Sequence, residues 1–478
     1  MNGHQGYTRL EGSSEVEAFS SRPQMPSKDV DGGALFVLES KGNWKHAGFH
    51  LTVSIATPAL LTLPFALREL GWVAGVLALG LCAGVSFYAY NILSQVLENS
   101  ERRGHRFLRF RDLGAHVLGP WGYYGIGGIQ FLVCFGTVIG SCIVGGQSMK
   151  LIYSILEPES TRQLSEFVAI FGIFMLVLAQ LPSFHSLRYI NLASLMCCLG
   201  FSLCVVGGCI YAGNSVDAPP KDYSISGTPA SKLFGVFEAL AIIATTFGNG
   251  IIPEIQATLA PPVENKMFKG LLVCYTVVVT TFFSVAISGY WAFGNQVAGY
   301  VLTNLAPTDG PALVPSWLIL LANGFALAQL TAVALFPWLG VDNVMWMKWW
   351  VEVYSQPTFE IFEGQTSDVK EGKYSMRNLV PRFLLRSSYV AFATFVSAAL
   401  PFFGDINGVL GAFCFTPLDF ILPFIFYSFT FGPSRQTPRF WIHWGIVILF
   451  SVVGFLGCIS SVHQVILDAK YYKWFADL

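Results

Sequence analysis

The chain has 478 residues, of which 53% are hydrophobic and only 12% charged, with a mean hydropathy of +0.55. Soluble proteins carry about a quarter of their residues as charges, and here apolar stretches of bilayer length recur almost end to end, which excludes a string of soluble domains and leaves one membrane domain. A formal net charge of −1 and the absence of a basic run exclude a nucleic-acid partner.

Residues 1–40 are polar and lack the charged start, apolar core and cleavage site of a secretory signal. They are expected to form a disordered cytoplasmic tail, so that the first span does the targeting. A spanning helix needs about 20 mainly apolar residues. Eleven stretches qualify: 44–67, 71–97, 122–153, 165–182, 187–213, 232–258, 267–293, 313–340, 382–402, 407–430 and 439–467. Between the second and third, RFLRFRDLGAHVLG (106–119) reads as a short amphipathic helix on the membrane surface, with Phe107, Phe110 and Leu113 on one side. GYYGIGG (122–128) lacks the preceding strand a nucleotide loop needs, and close helix packing is the better reading of its glycines. Residues 345–380 form the longest later loop, mixing Trp346, Trp349 and Trp350 with charges.

All ten cysteines lie in apolar runs without metal-ligand spacing and read as small buried residues. Lys and Arg gather in alternate loops: Arg102, Arg103, Arg106, Arg109 and Arg111, then Arg188, Lys266 and Lys269, then Lys348 to Arg382, then Arg435 and Arg439. The intervening loops hold Arg68, Arg162, Lys221 and little else. By the positive-inside rule the N-terminus is cytoplasmic.

Two spans are irregular. The first carries Pro58 and Pro64 in IATPALLTLPFA, and Pro58 cannot donate the bond a continuous helix requires. The sixth carries FGNGIIPE, two glycines and a proline in Phe247 to Glu254. Either alone could be an ordinary proline kink. In hydrocarbon, however, freed backbone groups survive only where they are buried in protein or line a cavity. If spans one to five (41–213) and six to ten (232–430) are inverted repeats, both breaks fall in the first helix of a repeat, which is the pointer to a LeuT-like carrier. The expected fold is all-α, with eleven transmembrane helices in a 5+5 inverted repeat plus one extra helix and tail (437–478). The substrate would bind at Ala56, Thr57, Pro58, Ala59 and Leu60 of the first break and Phe247, Gly248, Asn249 and Gly250 of the second. A half-helix starting near Ala59 would present free N–H groups to a carboxylate, with hydroxyls from Thr57 and Thr62.

Carboxylates inside spans are expensive and informative. Glu254, beside the second break, and Asp419, in TPLDFILP, are the candidates for proton coupling; each could instead be an interface carboxylate, an alternative that stays open for Asp419. Glu238, near the start of its span, reads as an interface residue, and His50 as a satisfied histidine. No catalytic constellation is present.

Several blocks in order, WKHAGFHLTVSIATPALLTLPFA (44–66), RFRDLGAHVLG (109–119), QLPSFHSLRYIN (180–191), FGNGIIPEIQATLAPP (247–262), ISGYWAFGN (287–295), LPFFGDINGVLGAF (400–413) and PLDFILP (417–423), resemble the amino acid/auxin permease family and within it the plant GABA-transporter group. The resemblance runs from Lys41 to the C-terminus. It implies an eleven-helix LeuT-like fold and proton-driven uptake of amino acids at a plant plasma membrane. Sodium-coupled relatives carry an asparagine where this chain has Val53, which favours protons, and LFPWLGVDNVMWMKWW (335–350) departs from the group's pattern.

The expected function is therefore secondary active transport of GABA or related small amino acids. Proline, other neutral amino acids or auxin-like carboxylates are alternatives, as is a transport-inactive amino-acid sensor. The expected partners are the amino-acid substrate and membrane lipid. No cofactor or metal is expected beyond the transported proton.

Overall fold

The computed structural model describes residues 42–158, 161–180, 187–216, 218, 220–225, 227–307, 312–330, 358, 366, 375–400 and 403–471. The expected tail 1–40, the end of the eighth expected span from 331, the loop as far as 374 apart from 358 and 366, and the last seven residues lie outside the described residues.

Helix α1 (Trp44–Ile55) begins at Asn43, whose side chain accepts from the His46 N–H while His46 Nδ1 accepts from the Asn43 N–H. It ends where Ala56 N–H donates to Thr52 O at 2.7 Å, because Pro58 has no N–H to carry the ladder on. A 3₁₀ turn, Pro58–Thr62, leads into α2 (Leu63–Leu70). Pro64 sits in the first turn of α2, where a missing N–H costs nothing.

The chain continues through α3 (Trp72–Arg102), α4 (Phe110–Leu118), α5 (Pro120–Leu156), α6 (Leu164–Ala179) and α7 (Leu187–Gly213). The sixth span is likewise split, into α8 (Pro229–Phe247) and α9 (Ile252–Ala257). Then come α10 (Lys266–Phe293), the short α11 (Val301–Leu305), α12 (Ser316–Leu330) and α13 (Met376–Ala399). The tenth span is α14 (Phe403–Leu410), a π-helical stretch Gly411–Ile421 and α15 (Leu422–Phe431), and α16 (Pro438–Tyr471) closes the bundle.

Among the described residues nine helical segments are long and apolar enough to cross a membrane, and Leu164–Val177 and Ser316–Leu330 are shorter apolar helices. The chain is thus an all-helical, multi-pass membrane protein. Burial ranks the spans: 83% of the apolar window is buried in each split span, Trp44–Leu70 and Pro229–Ala257, but only 28% in Pro438–Leu467 and in Met376–Ala399. The two irregular helices therefore occupy the centre, where protein can satisfy their backbone, and the regular ones form the rim, exposing residues such as Val73, Leu77, Ile448 and Phe455.

The start of the first split span and the end of the sixth, the ends away from the breaks, meet at one face of the bundle. Gly42 N–H donates to Thr258 O and Ala260 N–H to Gly42 O, both at 2.9 Å, and Arg106 donates to Leu259 O at 2.6 Å. Arg102 pairs with Glu264 on the same face. At the opposite face Arg68 pairs with Glu69 and donates to Val297 O at 2.8 Å.

Two local readings change. The 106–119 segment does contain a helix, α4, but Phe110 and Leu113 are fully buried and the helix packs on α5. The approach is so close that a Cβ on Gly122 would lie 2.3 Å from Gly114 O. Close packing accounts for Gly122 only: nothing lies within 4 Å of a Cβ on Gly125 or Gly128, and the nearest atom to one on Gly127 is at 3.8 Å. The ten cysteines are all free, eight of them buried.

Candidate substrate site between two broken helices

The first break leaves the carbonyl of Ala56 outside the α1 ladder. It accepts from Gln329 Nε2 at 2.8 Å and from Cys198 Sγ at 3.3 Å. After it Thr57 is extended and begins the 3₁₀ turn without a side-chain cap; Pro58 has no N–H and Leu60 N–H donates to Thr57 O at 3.1 Å, which leaves the Ala59 N–H at the start of the turn. Thr62 does not reach toward a ligand; its hydroxyl donates back to Ala59 O at 2.7 Å.

The second break runs from Gly248 to Ile251. Gly250 has φ +67°, a left-handed conformation that glycine alone adopts freely. Asp419, on the π-helical stretch, accepts from both freed amides: Asn249 N–H to Oδ2 and Gly250 N–H to Oδ1, each at 3.1 Å. Gln130 of α5 completes the support. Its Nε2 donates to Gly250 O at 3.0 Å and to Glu254 Oε1 at 2.8 Å. The same Glu254 oxygen accepts from Phe110 N–H at 2.9 Å, while Oε2 is buried with no hydrogen-bond partner among the described residues. Asn249 ties the breaks together, donating from Nδ2 to Ser54 Oγ at 2.7 Å. Tyr90 donates to Phe247 O at 2.8 Å.

A cavity of about 760 Å³, measured with its open mouth, lies where the breaks meet. Ser54, Thr57, Pro58 and Ala59 contribute one wall and Thr245 and Gly248 another, with Thr137 and Ser141 of α5 facing them. Among the described residues no Asp, Glu, Lys, Arg or His lines it. A charged ligand there is met by backbone dipoles, hydroxyls and the carboxamide of Asn407.

Of the nine residues expected to bind substrate, Thr57, Pro58, Ala59 and Gly248 line this cavity. Ala56, Leu60, Phe247, Asn249 and Gly250 are buried behind the wall and shape it. Glu254 and Asp419 lie behind the second break, bonded to its backbone or its supports rather than on the cavity surface. Asp419 is 1% exposed and Glu238 4% exposed, so both lie inside the bundle and not in solvent. His50 Nε2 is buried without a partner among the described residues, unlike the satisfied histidine expected.

Gln130, Gln329, Ser54 and Tyr90 went unnoticed in the sequence. The signal was available for the two glutamines, since a lone carboxamide in an apolar span needs a partner across the bundle.

The family model "Transmembrane amino acid transporter protein" matches residues 40–467. The chain is 50% identical over 451 residues to "GABA transporter 1" of Arabidopsis thaliana, covering 94% of this chain and 96% of that protein. It is 30% identical over 457 residues to "Lysine histidine transporter-like 1" of the same plant, covering 94% of each. A solved structure, the substrate-bound outward-open state of a Na+-coupled sialic acid symporter, superposes with a TM-score of 0.51 and 11% identity, over 95% of this chain and 93% of that one. This last likeness concerns the fold only. With two broken helices around a midbundle cavity and a family match over nearly the whole chain, the protein belongs to the transmembrane amino acid transporter family and is a carrier, not an enzyme.

Proposed function

We propose that the chain takes up GABA or related small amino acids by alternating access, with protons as the coupling ion. The observation that carries this reading is the uncharged cavity between the two breaks. A zwitterion fits such a site: its carboxylate lies at the start of the Pro58–Thr62 turn, where the Ala59 N–H and the helix dipole favour negative charge. Its amine is met by hydroxyl and carbonyl oxygens from Ser54, Thr137 and Ser141. The half-identical Arabidopsis relative makes GABA the first substrate to test.

In the same reading Glu254 carries the proton. Both oxygens of Asp419 accept from backbone N–H groups, which commits it to holding the break. Glu254 keeps one oxygen unpartnered and so has room for a proton. Spans 41–213 and 232–430 act as two five-helix repeats rocking about the site, with α6 and α12 counted among eleven crossings. The face bearing Arg102, Arg106 and Lys266 lies in the cytoplasm, as positive charge directs, and the membrane is the plasma membrane.

The test is uptake of labelled GABA into proteoliposomes, with proline, histidine and lysine as competitors. Ala59→Trp, on the cavity wall, is expected to abolish uptake while leaving folding and surface expression intact. Normal uptake by that variant would move the substrate elsewhere.

A further inference from the structure

The joint at the first break is closed by an unusual pair of donors. Helix α1 ends in mid-bundle, and its last carbonyls are both unpaired within the helix and at the negative end of its dipole. In carriers built on discontinuous helices, such carbonyl ends are where a coupling cation such as Na+ is coordinated. Here the Ala56 carbonyl is taken by the carboxamide of Gln329, on α12, at 2.8 Å and by the thiol of Cys198, on α7, at 3.3 Å. All three residues are fully buried. Gln329 stands one residue from the described end of α12, and α7 packs against both α1 and α12. The carbonyl thus sits where three spans converge, and among the described residues only neutral N–H and S–H groups answer it.

We propose that Gln329 is a tethered replacement for a coupling cation, so that the joint between α1, α7 and α12 closes without a metal ion. The inference rests on the transport reading above and deepens its choice of coupling ion. A donor on a side chain cannot leave with the substrate, so a Na+ gradient has no purchase on this joint. The drive is left to the other break, where Glu254 lies. Gln329 is a positioning residue here: it touches the broken helix, not the substrate.

Replacing the amide should open the position to a cation. The wild-type protein, purified in nanodiscs, should show the same melting temperature and the same uptake whether the medium contains Na+ or choline. Gln329→Ser leaves the Ala56 carbonyl and a hydroxyl facing each other across the space the amide filled. Its melting temperature should rise with Na+, and its initial uptake rate should rise about tenfold between Na+-free medium and roughly 100 mM Na+, the factor linkage gives for an ion that binds only the closed joint with a Kd of about 10 mM. Gln329→Met, which keeps the volume without any oxygen, should lose stability with no response to Na+. A wild-type protein already stabilised or stimulated by Na+ would overturn the proposal. So would a serine variant that ignores Na+, or one that fails to fold with or without it. If neither protein takes up any amino acid, the transport reading fails, while the melting temperatures still report on the joint.

Discussion

Replacing Asp419 by Asn separates two roles for the most deeply buried carboxylate near the site. As a charged clamp, Asp419 accepts one backbone N–H on each oxygen, from Asn249 and Gly250, both at 3.1 Å. Hydrogen bonds to charged groups contribute roughly 1.5–3 kcal/mol each, and a buried donor left without an acceptor costs about 1–3 kcal/mol. An asparagine oxygen keeps one of the two bonds, now neutral, while its NH₂ faces the other N–H. The change should therefore cost about 2–4 kcal/mol, concentrated on residues 247–251. Thermal unfolding of the purified protein should show a lower midpoint, and hydrogen exchange should speed up at Asn249 and Gly250 before other buried amides. Uptake should fall by a similar factor at every external pH, because the break itself loosens. A protonated Asp419 that served as the proton carrier would tolerate the amide, keeping its melting temperature and losing only the pH dependence of uptake. That result would refute the clamp.

Glu254→Gln should behave in the opposite way, reaching the membrane with near-normal stability, flattening the dependence of uptake on external pH and preserving exchange of internal for external substrate; an unchanged pH profile would remove Glu254 from coupling. Gly250→Ala puts a side chain at φ +67° and a Cβ 3.3 Å from Val133, and should destabilise by roughly 1–2 kcal/mol, read as a lower melting temperature. Cysteines replacing the exposed Arg103 and Val216 should react with impermeant thiol reagents from opposite sides of the membrane, Val216→Cys from outside; labelling of both from one side would dissolve the repeat alignment. In the loop before α8, hydrogen bonds from the N–H and hydroxyl of Ser224 hold the Asp222 carboxyl below the usual value of 3.8. Its tie to Asn295, 2.8 Å away, is thus fully present above that value and lost only as the pH falls through the lowered one. Hydrogen exchange at residues 222–225 should stay slow down to about pH 4.

The family blocks, the spans and the two breaks are written locally. A bilayer demands about 20 apolar residues per crossing, and Pro58, Gly248, Gly250 and Pro253 each alter the backbone at their own position, so an inspection of neighbours along the chain finds them. That Thr57, Pro58, Ala59 and Gly248 would line the cavity between the breaks was legible for that reason. What answers the freed backbone groups was not legible, because each answer comes from far away in the chain. Asp419 reaches the second break from 169 residues along the chain and Gln329 reaches Ala56 from 273, and nothing in either's own segment names its partner. The same holds for Gln130, which joins Gly250 and Glu254, and for Asn249, which joins the two breaks through Ser54. Sequence by itself determined where the helices must break and that something polar must meet them, since unpaired N–H and C=O groups do not persist in hydrocarbon. Only the tertiary structure decided which side chains do so, because helix packing alone brings α5, α12 and the π-helical stretch to the broken ends.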